Sequence, residues 1–326
     1  MIVLAGDIGG TNARLALIDV DGGTARIVRR EKYLSRDYPG LIPIVQQFCP
    51  EPSSRPDRAC FGLACPVTGD DCTTSNLPWT VNRQRLAREI GIPRTRIIND
   101  FAAIGHGIEF LGPSDLATLQ PGQPAATGPI GLIGAGTGLG VGLVFREAGG
   151  YRVVPSEGGH TDFAPGDDLQ IGLLRFLRAR FGRVSWERVV SGPGLLNIYT
   201  YLREAGVAPE QPRVRAEIEG EDPPAVIGRH GLAGDDPLSD RTLDLFCQLL
   251  GAKAGNLALT LMATGGIYIG GGIAPRLVER LKNGLLMAAF RNKGRLSELL
   301  ARIPVHVIMN LRVGLLGAAV VAARLE

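Results

Sequence analysis

The sequence predicts a mixed α/β fold of two domains, in which two similar halves surround a cleft. A length of 326 residues is enough for about two domains of roughly 150 residues each. Apolar residues make up 45% of the chain and charged residues 21%, a composition typical of a globular protein that can fill a core. The order strand, glycine loop, strand, Gly-Gly hairpin and strand occurs from residue 2 and again from residue 130, which indicates a duplicated architecture.

The first repeat opens the chain. Apolar runs predict strands at residues 2–7 and 13–20, and the stretch Gly6-Asp7-Ile8-Gly9-Gly10-Thr11-Asn12 predicts a tight connection between them. Gly22-Gly23 predicts a hairpin into a third strand at residues 25–30. This opening is therefore expected to form a three-stranded meander.

Helices and short strands are predicted to alternate through the rest of the small domain, residues 1–110. The predicted elements are a helix at residues 41–48, a strand at 58–63, a helix from the N-cap Asn82 to before Gly91, a strand at 96–98 and a helix at 101–110. Residues 112–129 are rich in Pro, Gly and Thr and are interpreted as a crossing between the domains.

The large domain, residues 111–302, opens with the second repeat. Its strands are predicted at residues 130–134, 141–146 and 151–155, with the loop Gly134-Ala135-Gly136-Thr137-Gly138-Leu139-Gly140 after the first and Gly149-Gly150 before the third. One helix is predicted to begin at about residue 167, and a second to end at about residue 204. A long helix is predicted from Pro237 to about residue 263, and a fourth is predicted to begin at Pro275. Residues 209–237 are expected to hold loops and one short helix.

The last predicted elements follow another glycine turn. A strand at residues 266–269 leads into Gly270-Gly271-Gly272-Ile273, and a strand at 303–308 precedes a closing helix at 314–325. The C-terminal part, from about 303 to 326, is expected to pack back on the small domain because that is the shortest connection.

Charge and hydropathy argue against several classes of partner. The net charge is only +3 and no basic run occurs, so nucleic acid and membrane surfaces are not expected partners. Asp7 interrupts the short N-terminal apolar run, which argues against a signal peptide. No apolar stretch approaches the ~18 residues of a membrane span.

Cysteine usage indicates a reducing compartment. The chain has five cysteines and no Cys-x-x-Cys pair, so neither a disulfide framework nor a zinc ribbon is expected. Several of them lie in apolar runs and are interpreted as buried free thiols. A cytoplasmic location is the resulting prediction.

The first glycine loop has the composition of a phosphate site. Backbone N–H groups of a glycine turn can point together at phosphate oxygens, and Thr11 and Asn12 add polar side chains. Asp7 can hold a hydrated Mg²⁺ that accompanies a nucleoside triphosphate. The alternative is an ordinary hairpin whose Asp serves the turn. Neither Gly-x-x-x-x-Gly-Lys-Ser/Thr nor Gly-x-Gly-x-x-Gly occurs, which argues against P-loop and Rossmann proteins.

A second set of polar residues has the chemistry of a sugar site. Asn99 and Asp100 follow an apolar strand, Glu157 and His160 flank two glycines, and Glu187 follows a tryptophan. Asp100 can accept a proton from an attacking hydroxyl, while the others can hold a polyol by hydrogen bonds. The alternatives are an N-cap for Asp100, a structural role for His160 and a surface charge for Glu187.

Ser75 and Asn76 precede Leu-Pro-Trp in a stretch that predicts a rigid loop. Their polar side chains are expected to touch the ligand.

Together, these motifs resemble the ATP-dependent bacterial glucokinase family. The similarity extends from the first strand to beyond the last glycine loop, with the motifs in the family's order. The motifs that carry it are Gly6-Asp7-Ile8-Gly9-Gly10-Thr11-Asn12, Asn99-Asp100, Gly134-Ala135-Gly136-Thr137-Gly138-Leu139-Gly140, Glu157-Gly158-Gly159-His160, Glu187 and Gly270-Gly271-Gly272-Ile273. The resemblance implies the actin-like ATPase fold, which is ribonuclease-H-like.

The resemblance also implies an activity and a role for each residue. It implies phosphoryl transfer from ATP to the 6-hydroxyl of glucose, with Mg²⁺, in a homodimer. The implied roles are Mg²⁺ support for Asp7, phosphate binding for Gly9, Gly10, Thr11, Thr137 and Gly138, an adenosine pocket at Gly271 and Gly272, glucose binding by Asn99, Asp100, Glu157, His160 and Glu187, and general base catalysis by Asp100. Gly6, Ile8 and Asn12 belong to the same nucleotide-binding stretch as Asp7.

Three other readings share part of this pattern. A sugar kinase or repressor of the repressor–kinase family would add a cysteine cluster after the histidine, but no cysteine follows His160 until Cys247. A hexokinase specific for mannose, fructose or an N-acetylhexosamine would use the same polar groups. A non-catalytic actin-like filament or chaperone ATPase would share the fold but has no need of the polyol cluster.

Overall fold

The structure of this chain is a computed structural model, which describes residues 1–21, 23–51, 54–65, 67–73 and 77–326. These residues divide into two compact units. Unit 1 comprises Met1–Asp115, Arg146–Pro155 and Asn310–Glu326, and unit 2 comprises Leu116–Phe145 and Ser156–Met309.

The first part of the chain forms the strands and helices of unit 1. The strands are β1 (Ile2–Ile8), β2 (Asn12–Asp21), β3 (Thr24–Leu34), β4 (Arg58–Leu63), β5 (Val67–Thr68), β6 (Asp71–Thr73), β7 (Thr80–Asn82) and β8 (Arg94–Asn99). The helices are α1 (Leu41–Phe48), α2 (Arg83–Ile90) and α3 (Asp100–Gly107).

The remaining elements follow in chain order. The strands are β9 (Leu116–Gln120), β10 (Ile130–Ala135), β11 (Leu139–Glu147), β12 (Gly150–Ser156), β13 (Gly266–Gly270) and β14 (Val305–Ile308). The helices are α4 (Asp168–Phe181), α5 (Gly192–Glu204), α6 (Pro212–Gly220), α7 (Pro223–Ala233), α8 (Pro237–Leu261), α9 (Val278–Leu281), α10 (Leu285–Arg291), α11 (Ser297–Arg302) and, in unit 1, α12 (Val313–Ala323).

The two large sheets repeat one topology, as the sequence predicted. One has the order β3-β2-β1-β4-β8 and the other β12-β11-β10-β13-β14-β9. In each, an antiparallel pair, β1 with β2 or β10 with β11, is extended by parallel strands, β4 and β8 or β13 and β14. A short sheet, β5-β6-β7, is an addition to unit 1.

Strand β1 separates two hydrophobic clusters in unit 1. Leu4 and Ile8 belong to a cluster with residues of α1 and α2, whereas Val3 and Ala5 belong to a cluster with residues of α12. This is the period of two that a strand buried on both faces requires. Helix α12 is apolar on all sides because it also packs on α3, where a Cβ at Gly317 would collide with the carbonyl oxygen of Ala103.

Several elements differ from the prediction. Strand β9 lies in the segment that was interpreted as a crossing between domains. It was not predicted because its partner β14 is almost two hundred residues away and no local pattern reveals the pairing. Residues 209–237 hold the helices α6 and α7 rather than one short helix. Each has proline in its first turn, where the missing N–H costs nothing, so a breaker signal concealed a helix start. The helix expected from Pro275 is replaced by the short helices α9, α10 and α11.

No disulfide framework was expected, yet two of the five cysteines are paired. Cys65 and Cys72 form a disulfide, with their Cα atoms 6.0 Å apart. The antiparallel pairing of β5 with β6 returns the chain to Cys65 and places the two residues together. Cys49, Cys60 and Cys247 are free and buried, as expected.

Candidate active site

The connection between β1 and β2 is a closed turn, in which Gly9 N donates to Asn12 O at 2.9 Å. Ile8 is buried in the core. A Cβ at Gly6 would lie 2.5 Å from Cδ1 of Phe61, so this glycine is needed for packing. Only the tip, including the exposed side chain of Thr11, is accessible to a ligand.

Asp7 lies beside the turn and is paired with a cation. Its Oδ2 is 3.0 Å from Nη1 of Arg14, its partner on β2. Burial raises the pKa of Asp7, and Arg14 opposes that shift. Within the described ranges no group of three His, Cys, Asp or Glu side chains could hold a metal. A single carboxylate nevertheless fits Mg²⁺ that arrives with substrate phosphates, because this ion keeps several waters.

Ser35 supports the same turn and was not predicted. It is buried, its Oγ donates to Gly9 O at 2.9 Å, and its N donates to Thr11 O at 3.0 Å. A serine just after a polar strand carries no sequence signal of such a role. Asn12 Oδ1 is buried and has no hydrogen-bond partner among the described residues, so it is an acceptor that the turn itself leaves unpaired.

Asn99 and Asp100 occupy the junction of β8 and α3. Asn99, rather than Asp100, is the N-cap, because its Oδ1 accepts from Phe101 N at 2.9 Å and from Ala102 N at 3.2 Å. Its Nδ2 donates to Cys65 O at 3.2 Å, which leaves one amide hydrogen for a ligand. Asp100 is half-buried at the first helical position, where the helix dipole favours a carboxylate.

Ser75 and Asn76, the other predicted ligand contacts of this unit, lie outside the described residues.

In unit 2 the structure brings together three predicted sugar-binding residues. His160 Nε2 is 3.9 Å from Glu157 Oε2, and its Nδ1 is 4.0 Å from Glu187 Oε1. The side chains of Glu157 and His160 are 70% and 55% exposed, so both are open to a ligand. Glu187 is more enclosed, at 31% exposed. The three form a compact set of two carboxylates and one imidazole, which suits hydroxyl groups.

The second glycine loop lies directly against Glu187. Gly136 N donates to Gly138 O at 2.9 Å, which closes the turn, and Leu139 N donates to Glu187 Oε2 at 2.9 Å. A Cβ at Gly138 would lie 2.6 Å from that same oxygen. The side chain of Thr137 is exposed at the tip. The loop predicted to bind phosphate and a residue predicted to bind sugar are therefore adjacent.

Gly271 and Gly272 follow β13, beside the end of β10. Gly271 has φ +83°, and a Cβ there would collide with the carbonyl oxygen of Ala135, so only glycine fits. Gly272 has open space around it.

Lys253 is a residue of this region that sequence reasoning missed. It is buried in α8, its Nζ donates to Thr161 Oγ1 at 2.9 Å, and it lies 5.7 Å from the centre of the Trp186 ring. Burial lowers the pKa of Lys253. It thus supports both turns, those that carry His160 and Glu187. The available signal was a single lysine within an apolar stretch of helix, Gly251-Ala252-Lys253-Ala254-Gly255.

Three comparisons with known proteins each match nearly the whole chain. The sequence profile of the family described as Glucokinase matches residues 4–325. A glucokinase from Nostoc sp. is 45% identical over 340 residues, covering 99% of each chain. The crystal structure of a glucokinase from an Antarctic psychrotroph has a TM-score of 0.85 and 32% identity, over 99% of this chain and 98% of that one.

A more distant structure shares the fold alone. A ROK family glucokinase from Streptomyces griseus, solved in complex with glucose and AMPPNP, has a TM-score of 0.67 and 20% identity over 99% of this chain and 100% of that one. These likenesses confirm the predicted actin-like fold with its duplicated α/β halves.

Proposed function

The chain belongs to the glucokinase family, and from this premise we propose that it transfers the terminal phosphoryl group of ATP to the 6-hydroxyl of glucose. The products are glucose 6-phosphate and ADP. The observation that carries the proposal is the contact of Glu187 with the second glycine loop on one side and His160 on the other. Such a carboxylate couples a sugar-binding set to a phosphate-binding turn.

Glu157, His160 and Glu187 bind sugar hydroxyls in this proposal. The carboxylates accept hydrogen bonds, and the imidazole donates or accepts. Asn99 contributes its remaining amide hydrogen, since its other hydrogen-bonding positions are engaged with the backbone. A sugar that lacks one of the matching hydroxyls would leave a polar group unpaired and would be rejected.

Asp100 is the proposed general base. It accepts the proton of the 6-hydroxyl as that oxygen attacks the terminal phosphorus of ATP, while the bond from phosphorus to the oxygen of ADP breaks. Its backbone is fixed by the capped start of α3, so the carboxyl group is held in place before the substrate arrives. Ser75 and Asn76 are kept as proposed glucose contacts.

The nucleotide is proposed to bind through backbone groups. Gly9, Gly10, Thr11, Thr137 and Gly138 hold the phosphates, and Gly271 and Gly272 line the adenosine pocket. Asp7 supports Mg²⁺ through water, and the metal, when bound, neutralises charge on the phosphates. Gly6, Ile8 and Asn12 complete the first nucleotide-binding stretch.

We further propose that the enzyme is a cytoplasmic homodimer that acts on small molecules. Neither nucleic acid nor a membrane is a proposed partner. The near-neutral charge of +3 supports the choice of partners, and the family resemblance supports the dimer. Among the helices in the described part of the chain, none has both the length and the apolar character of a membrane span.

A coupled assay of ADP release tests the function. Wild type and Asp100→Asn are compared with ATP and Mg²⁺ on glucose, mannose, fructose and N-acetylglucosamine. We expect glucose to be preferred and the variant to lose about 10²–10⁴-fold in kcat, as loss of a general base does. Preference for another sugar would leave a kinase of different specificity. The absence of any sugar-dependent ADP release would contradict the proposal and favour an actin-like filament or chaperone ATPase.

A further inference from the structure

Unit 1 contains a cationic cavity that the proposed reaction does not use. Its volume is about 400 Å³, within the range of small-molecule sites. Four basic side chains line it: Arg14 on β2, Arg30 and Lys32 on β3, and Arg312 just before α12.

The positive charges are placed against each other on one face of the sheet. Arg14 and Lys32 are directly opposite across β2 and β3, and Arg30 lies two residues from Lys32 on the same side. Like charges directly opposite in a sheet destabilise it. Arg30 and Lys32 have no carboxylate partner in the described part of the chain. An anion in the cavity would relieve this repulsion.

The one carboxylate of the lining does not neutralise these charges. Glu31 lies between Arg30 and Lys32, so strand alternation directs its side chain to the other face. There it accepts hydrogen bonds from Arg29 Nε at 3.0 Å and from the Tyr33 hydroxyl. The cavity therefore keeps an excess of positive charge.

The N-terminal end of α12 adds to the positive potential of the cavity. Arg312 precedes its first residue, and the N-terminus of a helix carries a partial positive charge that favours anions. Leu311 and Leu315 supply an apolar wall. Charged groups beside an apolar wall suit a small organic phosphate better than they suit a simple inorganic ion.

We infer that this cavity binds a small phosphorylated molecule at a site separate from the phosphates of the nucleotide. Guanidinium groups match phosphate oxygens in a bidentate geometry, and three of the four cations are arginines. None of residues 8–12, which form the first glycine turn, lines the cavity. The occupant is thus a second anion, beside the nucleotide site but outside it.

Arg14 connects this site to Asp7. Its Nη1 is 3.0 Å from Asp7 Oδ2, and the same side chain lines the cavity. A phosphate in the cavity offers Arg14 a second anionic partner. Arg14 then neutralises less of the negative charge of Asp7. Asp7 then attracts Mg²⁺ more strongly, a consequence that rests on the proposed function.

Pyrophosphate binding in Mg²⁺-free buffer, measured by calorimetry, tests the site itself. The double variant Arg30→Gln/Lys32→Gln should bind about tenfold or more weakly than wild type, since two charge-assisted contacts are lost. Arg26→Gln, on the same strand but paired with Asp19 outside the cavity, is the control and should bind as wild type does. The melting temperatures of all three proteins are compared to verify folding.

Three results would overturn the inference: no pyrophosphate binding by wild type, equal binding by the double variant, or displacement of pyrophosphate by AMPPNP. The last would assign the cavity to the nucleotide. None of these arms requires sugar phosphorylation, so they stay informative even if the proposed function fails. In an activity assay titrated with Mg²⁺, inorganic phosphate should lower the Mg²⁺ concentration for half-maximal rate severalfold in wild type but not in Arg30→Gln/Lys32→Gln. No such shift would remove the connection through Arg14.

Discussion

Glu187 accepts a hydrogen bond from the backbone N–H of Leu139, with 2.9 Å between Oε2 and N. Its other oxygen, Oε1, is 4.0 Å from Nδ1 of His160. A single carboxylate therefore fixes the end of the second glycine loop and faces the proposed sugar-binding set. A substitution at this position should affect both loop geometry and sugar affinity.

Glu187→Gln separates these two effects. The amide oxygen can still accept from Leu139 N, so the loop should keep its shape, but the negative charge toward the sugar is lost. We expect the KM for glucose to rise about 10- to 100-fold, the range for a hydrogen bond to a charged group, with a much smaller change in the KM for ATP. Steady-state kinetics with each substrate varied in turn provides the measurement. Equal increases for both substrates would argue against a role in sugar binding.

Gly138→Ala tests the same contact from the loop side. The added Cβ would lie 2.6 Å from Glu187 Oε2, so the carboxylate or the loop must shift. We expect kcat/KM to fall about tenfold or more, as displacement of a substrate-positioning group does. Gly228→Ala in α7 is the control and should retain full activity, because no atom of the described residues lies within 4 Å of the added carbon. Wild-type kinetics of Gly138→Ala would show that Glu187 is free to move without cost.

Residues with local patterns were predictable, and those defined by distant partners were not. The strands of both repeats follow from apolar runs between glycine turns, and the cap of α8 follows from Asp236 and Pro237. The identity of the α3 cap depended on which of two adjacent side chains turns back to the helix, and both Asn99 and Asp100 have the chemistry for it. Strand β9, Ser35 and the Cys65–Cys72 disulfide depend on contacts that a linear pattern does not contain.

The proposed site residues can be picked out from the sequence by their chemistry, but the residue that supports them cannot. Glu157, His160 and Glu187 stand out because polar groups next to glycines rarely serve a core. Lys253 is far from them in sequence, and an isolated lysine on a helix is usually solvated at its tip. Its buried ammonium group is instead held by Thr161 and Trp186.

Lys253→Met should weaken sugar binding without removing catalysis. Methionine keeps most of the volume and loses the hydrogen bond to Thr161, so the turns of His160 and Glu187 become less well positioned. We expect the KM for glucose to rise about fivefold, the effect of one ordinary hydrogen bond, with kcat nearly unchanged. Lys282→Met is the matched control, because Lys282 is exposed and is paired with Glu279. A loss of kcat with unchanged KM would contradict a positioning role for Lys253.

His230 should make the stability of unit 2 dependent on pH. The side chain is buried, with Nδ1 2.8 Å from Asp235 Oδ1 and Nε2 2.8 Å from Glu217 Oε2. Its hydrogen bond to Glu217 is the main cause of a pKa raised above 6.5, with Asp235 contributing and burial opposing. The folded state therefore holds the proton more tightly than the unfolded state. This stabilisation is complete below pH 6.5 and is lost as pH rises through the folded-state pKa.

His230→Gln removes the titrating group and keeps one donor and one acceptor. We expect it to lower the free energy of unfolding by on the order of 2 kcal/mol at about pH 6 and by less at about pH 8, because only the protonated imidazole donates to both carboxylates. Urea unfolding at both pH values provides the measurement. His106→Asn should show the opposite trend, because burial lowers the pKa of His106 to about 4 and the unfolded state binds its proton more tightly. Equal destabilisation of His230→Gln at both pH values would show that its imidazole is not charged in the folded protein.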